Sequence, residues 1–204
     1  MLTRARAGGD TPNSLILPCG AHSRGGAVVL EVAKKYPELI RTLVLADASA
    51  RIELPESEEN LKAVAFCSRL FADFRQDVAK GDIEGGMACF VDVLVGPGFW
   101  ESLPAALQKG FLQNVQTALV KDLVPLATDD EPRKFNFPVL MLTGGKSPPL
   151  YGLLISEMRK RAGFKPPVII PGAGHALSFC MSMISAQTRF AFVATENRLP
   201  TIGS

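Results

Sequence analysis

Few residues of this chain have side chains suited to chemistry, and they are widely spaced. Only two histidines occur among the 204 residues, His22 and His175, so any imidazole chemistry falls on one of them. The four cysteines (Cys19, Cys67, Cys89 and Cys180) form no C-x-x-C pair. In a chain of this size they read as reduced thiols, which points to the cytoplasm rather than to a disulfide framework. His, Cys, Asp and Glu are not clustered as zinc ligands would be, so neither a metal nor an organic cofactor is expected. Ser23 stands in Ala21-His22-Ser23-Arg24-Gly25, between an apolar run and a helical period. A serine there sits on a tight, strained turn with its hydroxyl raised. Such a turn calls for small residues two before and two after it, and Ala21 and Gly25 are small. The helix N-terminus behind the turn supplies partial positive charge where an oxyanion would form, and the backbone N–H of Arg24 is expected to point there. The chemistry suggested is nucleophilic attack by a hydroxyl.

The elements that would position these groups can be read from hydropathy. Leu15-Ile16-Leu17, bounded by Pro18 and Gly20, is too short for a helix and reads as a buried strand. After Gly25-Gly26 a helical period begins, with Ala27, Val28, Leu30, Val32 and Ala33 on one side, and it ends at Tyr36-Pro37. A second strand is expected over Thr42–Ala46, closed by Asp47. From about residue 51 to 133 apolar residues recur at helical spacing (Leu61, Val64, Ala65; Phe71, Phe74, Val78), broken at Gly85-Gly86 and Gly96-Pro97-Gly98. Strands return at Pro138–Leu142 and Val168–Ile170, each followed by a helix, at roughly 150–161 and 178–193. Short, continuously apolar strands alternating with amphipathic helices predict a mostly parallel sheet with helices on both faces. Right-handed crossovers would open the four loops at the strands' C-terminal ends onto one edge, where ligands bind. Those loops carry Ser23, Asp47, Ser147 and His175.

The segment GAHSRGGAVVLEVAKKYPELIRTLVLADAS resembles the nucleophile-elbow region of α/β-hydrolases, close to the G-H-S-x-G-G form, with Ala21 in place of its first glycine. FPVLMLTGGKSPP and VIIPGAGHAL are similar to that family's last two strands, and PGAGH to its catalytic-histidine loop. The resemblance runs from Leu15 to about Val193. It implies a core of residues 1–50 and 134–204 with a helical cap inserted at 51–133. It further implies that Ser23 is the nucleophile and His175, 152 residues later, the general base, in the chain order Ser, acid, His. An imidazole with an ordinary pKa of about 6.5 suits taking and returning the serine proton. His22 should diverge from the Ser23 hydroxyl and pack near the strand end. For the acid, most of the family uses the loop after the penultimate strand, which here holds Ser147. A subset places it one strand earlier, where Asp47 stands; a strand spacing of about 4.8 Å keeps a carboxylate there within reach of the histidine. Asp47 is therefore assigned as the acid, with a turn or helix-cap role as its alternative. Asp129, Asp130 and Glu157 lie in less suitable contexts.

The expected activity is that of a serine hydrolase, esterase-like, acting on a small-molecule acyl substrate. The alternative is a catalytically impaired or silent binding module of the same fold. The family has several strands before the nucleophile strand, and one of their loops gives a second oxyanion donor. Only 14 residues precede Leu15, so the chain reads as N-terminally truncated, with an apolar edge strand open to self-association. Other classes are disfavoured. With 22 Lys+Arg against 20 Asp+Glu, the net charge of +2 gives no basic stripe for nucleic acid. No run of 18 uncharged apolar residues predicts a membrane span, and MLTRARAGGD lacks the apolar stretch of a secretory signal. Gly145-Lys146-Ser147 has the tail of a phosphate-binding loop, but Leu140 occupies its first glycine position and Pro148 and Pro149 remove two N–H donors. Phe66, Phe71, Phe74, Phe90, Trp100 and Phe111 are read mainly as core, with an acyl pocket as the other possibility.

Overall fold

The computed structural model describes residues 17–49, 52–115 and 135–176. Four parallel strands, β1 (Leu17–His22), β2 (Ile40–Ala46), β3 (Val139–Gly144) and β4 (Val168–Ile170), lie side by side in sequence order. β2 and β3 are apolar along most of their length because both faces are covered. Leu43, Leu45 and Met141 pack on one side with Ala33, Ile155 and Met158. Val44, Ala46, Leu142 and Ile170 meet on the other. Helices α1 (Arg24–Lys35) and α6 (Pro149–Ala162) supply Ala33, Ile155 and Met158, so both lie on the first face.

Two expectations change here. The first strand runs over Leu17–His22, so Pro18 and Gly20 lie inside it rather than bounding it. Within the described sheet β1 is an end strand, and its register with β2 shifts between Leu17 and Pro18. End strands and bulges are where a residue without an N–H is tolerated. Leu15 and Ile16 lie outside the described residues, as does the helix expected at 178–193. On α1, Val28 and Val32 face outward, and Ala27, Val29, Leu30 and Ala33 form the inner side. At 100° per residue positions 28 and 32 share one stripe, and the stripe facing the sheet is the neighbouring one.

Between β2 and β3 the chain forms helices α2 (Glu58–Lys80), α3 (Ile83–Val95), α4 (Phe99–Ser102) and α5 (Ala105–Val115). Ser57 accepts a hydrogen bond from the Asn60 N–H and starts α2; Gly81, at φ 88°, ends it. Such a left-handed residue suits glycine and closes the helix. The inner stripe of α2 is Ala63, Cys67, Leu70 and Phe74, spaced 4, 3 and 4 apart, while Leu61 and Val64 are exposed. Gly85 and Gly86 do not interrupt the helices, because Asp82 caps α3 and both fall in its first turn. The Gly96–Gly98 stretch does separate α3 from α4. Phe74, Trp100, Met87, Val91, Leu103 and Val115 make a core within these helices, whereas Phe66 is largely exposed.

One close approach fixes the start of α1. A Cβ added at Gly26 would sit 2.4 Å from the Ala48 Cβ and 2.9 Å from its Cα. Gly25, which the sequence marked as the pinched position, has room: its added Cβ would be 3.7 Å from the Ala21 Cβ. Alanine normally gains about 1 kcal/mol over glycine inside a helix, but overpacking against backbone costs about 1–3 kcal/mol. Gly26→Ala is therefore expected to destabilise the chain while Gly25→Ala stabilises it. Urea unfolding midpoints for the two variants check this ordering.

Candidate active site

Among the described residues, two non-glycine residues have positive φ, and both stand at the C-terminal ends of strands: Ser23 at 51° after β1 and Asp47 at 40° after β2. Such conformations cost of order 1–3 kcal/mol each and persist only where surrounding bonds hold them. Around Ser23 the holding bonds are backbone ones. Its N–H donates to the Ala46 carbonyl (3.0 Å), and its own carbonyl accepts from the N–H groups of Gly26 and Ser49, both at 2.9 Å. The Asp47 N–H donates to the Leu142 carbonyl at 2.9 Å. Each corner is thus tied to the next strand. Arg24 is the first residue of α1, at the positive end of that helix.

Asp47 is fully buried and its carboxylate is heavily solvated by the protein. Oδ1 accepts from the Thr143 hydroxyl at 2.8 Å and from the Gly144 N–H at 3.4 Å. Oδ2 accepts from the Ser147 hydroxyl and from His175 Nδ1, the latter at 3.3 Å. A buried carboxylate needs such donors, since an unpaired charge in the interior is strongly disfavoured.

His175 follows β4 and is buried. Its Nε2 lies 2.9 Å from the Ser23 Oγ. Because a carboxylate only accepts, Nδ1 carries the proton given to Asp47, and Nε2 is left to accept the Ser23 hydroxyl proton. The loop holding this ring is fixed from the helical segment: the His175 N–H donates to the Leu94 carbonyl at 3.3 Å. A Cβ on Gly174 would lie 2.4 Å from the Val95 carbonyl oxygen, so only glycine lets the loop pass so close to the end of α3. His22 packs against the His175 ring, and its Nε2 donates to the His175 carbonyl. Burial, and then repulsion between protons placed on two rings so close together, hold the His22 imidazole below its ordinary pKa.

The structure therefore brings Ser23, His175 and Asp47 together over three loops, with Arg24 next to them in the chain. A hydroxyl, an imidazole and a buried carboxylate in that order form a proton relay that can turn the hydroxyl into a nucleophile. Three further groups belong to the cluster. Ser147 stands in the loop already singled out, but its hydroxyl supports the carboxylate of Asp47 instead of replacing it. Thr143 carries no sequence signal beyond its place at the end of an apolar strand. Tyr151, whose ring is stacked on His175, carries none at all. Of the other acids considered, Glu157 pairs with Arg161 (2.8 Å) and Lys160 (3.6 Å) on α6; Asp129 and Asp130 lie outside the described residues. Among the described residues no group of three His, Cys, Asp or Glu could hold a metal ion, and no helix is long and apolar enough to cross a membrane.

No protein-family model and no curated protein matches this sequence. Solved structures do. A thermophilic esterase from Thermogutta terrifontis with malate bound superimposes at a TM-score of 0.55 and 21% identity, over 86% of this chain and 64% of that one. For the Bacillus megaterium epoxide hydrolase in complex with an inhibitor the values are 0.63, 17%, 88% and 70%. A serine hydrolase from the polyaromatic-hydrocarbon-degrading Cycloclasticus zankles gives 0.60, 14%, 90% and 66%. The fold is that of the α/β-hydrolases, and the chain spans 64% of the length of the esterase.

Proposed function

We propose that this α/β-hydrolase fold is a serine hydrolase that cleaves an ester or related acyl bond of a small molecule. The observation carrying the reading is the unbroken line from the Ser23 Oγ to His175 Nε2 (2.9 Å) and from His175 Nδ1 to Asp47 Oδ2 (3.3 Å). In this reading the Ser23 Oγ attacks the acyl carbon while His175 takes its proton. The carbonyl electrons move onto oxygen, and the Arg24 N–H at the start of α1 stabilises that oxyanion. Collapse expels the alcohol, which receives the proton from His175. Water then attacks the acyl-serine by the same route, releasing the acid and restoring the hydroxyl. Asp47 keeps the imidazole in the required tautomer and offsets its positive charge.

The nature of the nucleophile narrows the substrate. A carboxylate opening an epoxide forms an ester that water can hydrolyse, whereas a serine would form an inert ether. Ser23 thus favours the esterase-like reading over the chemistry named for the Bacillus megaterium neighbour. The test is reaction with a fluorophosphonate, followed by peptide mapping. One phosphonyl group on the peptide containing Ser23, with turnover of a short-chain p-nitrophenyl ester, is the expected result. An unmodified Ser23 peptide in the folded protein overturns the reading.

A further inference from the structure

Tyr151 occupies the first turn of α6 and is almost wholly buried. Its ring lies on the imidazole of His175, with centroids 4.0 Å apart and planes inclined by 18°. It packs with Leu70 of α2 and Leu94 of α3, and the same Leu94 holds the His175 N–H through its carbonyl. Burial pushes the pKa of its phenol far up, so it keeps its proton.

We propose that Tyr151 is a positioning residue of the hydrolytic site. Its ring face fixes the plane of the His175 imidazole on the line between Ser23 and Asp47. The proposal rests on the serine-hydrolase reading above. The ring adds a second effect, because an aromatic face attracts the imidazolium that forms during proton transfer. Tyr151 acts through His175, so its loss should appear in kcat and leave KM nearly unchanged.

Two substitutions test the ring. Tyr151→Phe keeps it and should leave kcat within about twofold of wild type. Tyr151→Leu should lower it about 100-fold, as expected when a reacting group is displaced by about 1 Å. KM should stay within about twofold for both. Proton NMR gives a readout independent of turnover, since the chain has only two histidines and His22→Gln tells them apart. The His175 ring protons should be shifted upfield in the wild type and in Tyr151→Phe, and should lose that shift in Tyr151→Leu. A kcat within about twofold of wild type in folded Tyr151→Leu overturns the proposal, as does a change confined to KM or an unchanged His175 shift in that variant. Should Tyr151→Leu not fold, His175 ring protons without an upfield shift in the wild type overturn it. Wild-type protein that neither labels nor turns over ester overturns the hydrolase reading and this proposal with it. Activity in the wild type alongside an unaffected Tyr151→Leu removes only the role of Tyr151.

Discussion

Ser23→Ala is expected to remove ester turnover almost completely, by a factor on the order of 10⁶ in kcat, the scale seen when the nucleophile of a triad is deleted. Fluorophosphonate modification should disappear with it. The fold should survive, because the bonds that hold the corner are made by backbone groups: the Ser23 N–H to Ala46, and the Gly26 and Ser49 N–H groups to the Ser23 carbonyl. Alanine tolerates φ 51° no worse than serine does, so the strain of the corner is unchanged. Only the side-chain bond to His175 is lost, and the urea unfolding free energy should fall by no more than about 1–2 kcal/mol. A folded Ser23→Ala protein that keeps one hundredth of the wild-type rate would show that another group attacks the substrate.

The second large effect belongs to Asp47→Asn, for which kcat/KM should fall about 10⁴-fold. The amide can no longer accept at both oxygens. With its NH₂ toward His175, Nδ1 must become an acceptor, so the proton moves to Nε2 and that nitrogen can no longer take one from Ser23. With its oxygen toward His175 instead, the NH₂ faces the Gly144 N–H and the Thr143 hydroxyl, and one buried donor is left unmatched. Stability should drop as well, by about 1–3 kcal/mol. The comparison that decides the acid is Ser147→Ala. That substitution removes one of the four hydrogen bonds to the carboxylate and should cost no more than about tenfold. A larger loss of activity from Ser147→Ala than from Asp47→Asn would overturn the assignment of Asp47. Steady-state kinetics on both variants, with unfolding curves to exclude global loss, makes the measurement.

Local patterning accounts for much of the sheet. Val168–Ile170 is the strand expected, and β2 and β3 differ from expectation by only a residue or two at their ends. Continuous apolar runs of this length, bounded by turn residues, leave little choice of structure in a doubly covered parallel sheet. Where the local signal misled, a tertiary neighbour explains it. Pro18 and Gly20 look like breakers in sequence, yet they sit in an end strand whose register shifts beside Pro18. Leu61, Val64, Val28 and Val32 are apolar and exposed, because the buried stripe of each helix is set by what packs on it. Gly26 proves tighter than Gly25 because Ala48, two residues past the end of β2, comes against it.

The amino-acid sequence by itself placed Ser23, Asp47, Ser147 and His175 in the loops that follow the strands, though not the end of β1, since apolar runs, glycines and prolines act within a few residues. It also reduced the imidazole candidates to two. Only the tertiary structure decided that β1 to β4 lie in consecutive order, which brings Asp47 Oδ2 within 3.3 Å of a histidine 128 residues away and sets Ser147 beneath the same oxygen. It alone placed the Tyr151 ring on His175 and the end of α3 behind the histidine loop. Distances between groups so far apart in the chain are fixed by how strands pair and helices pack, and no local pattern of residue types encodes them.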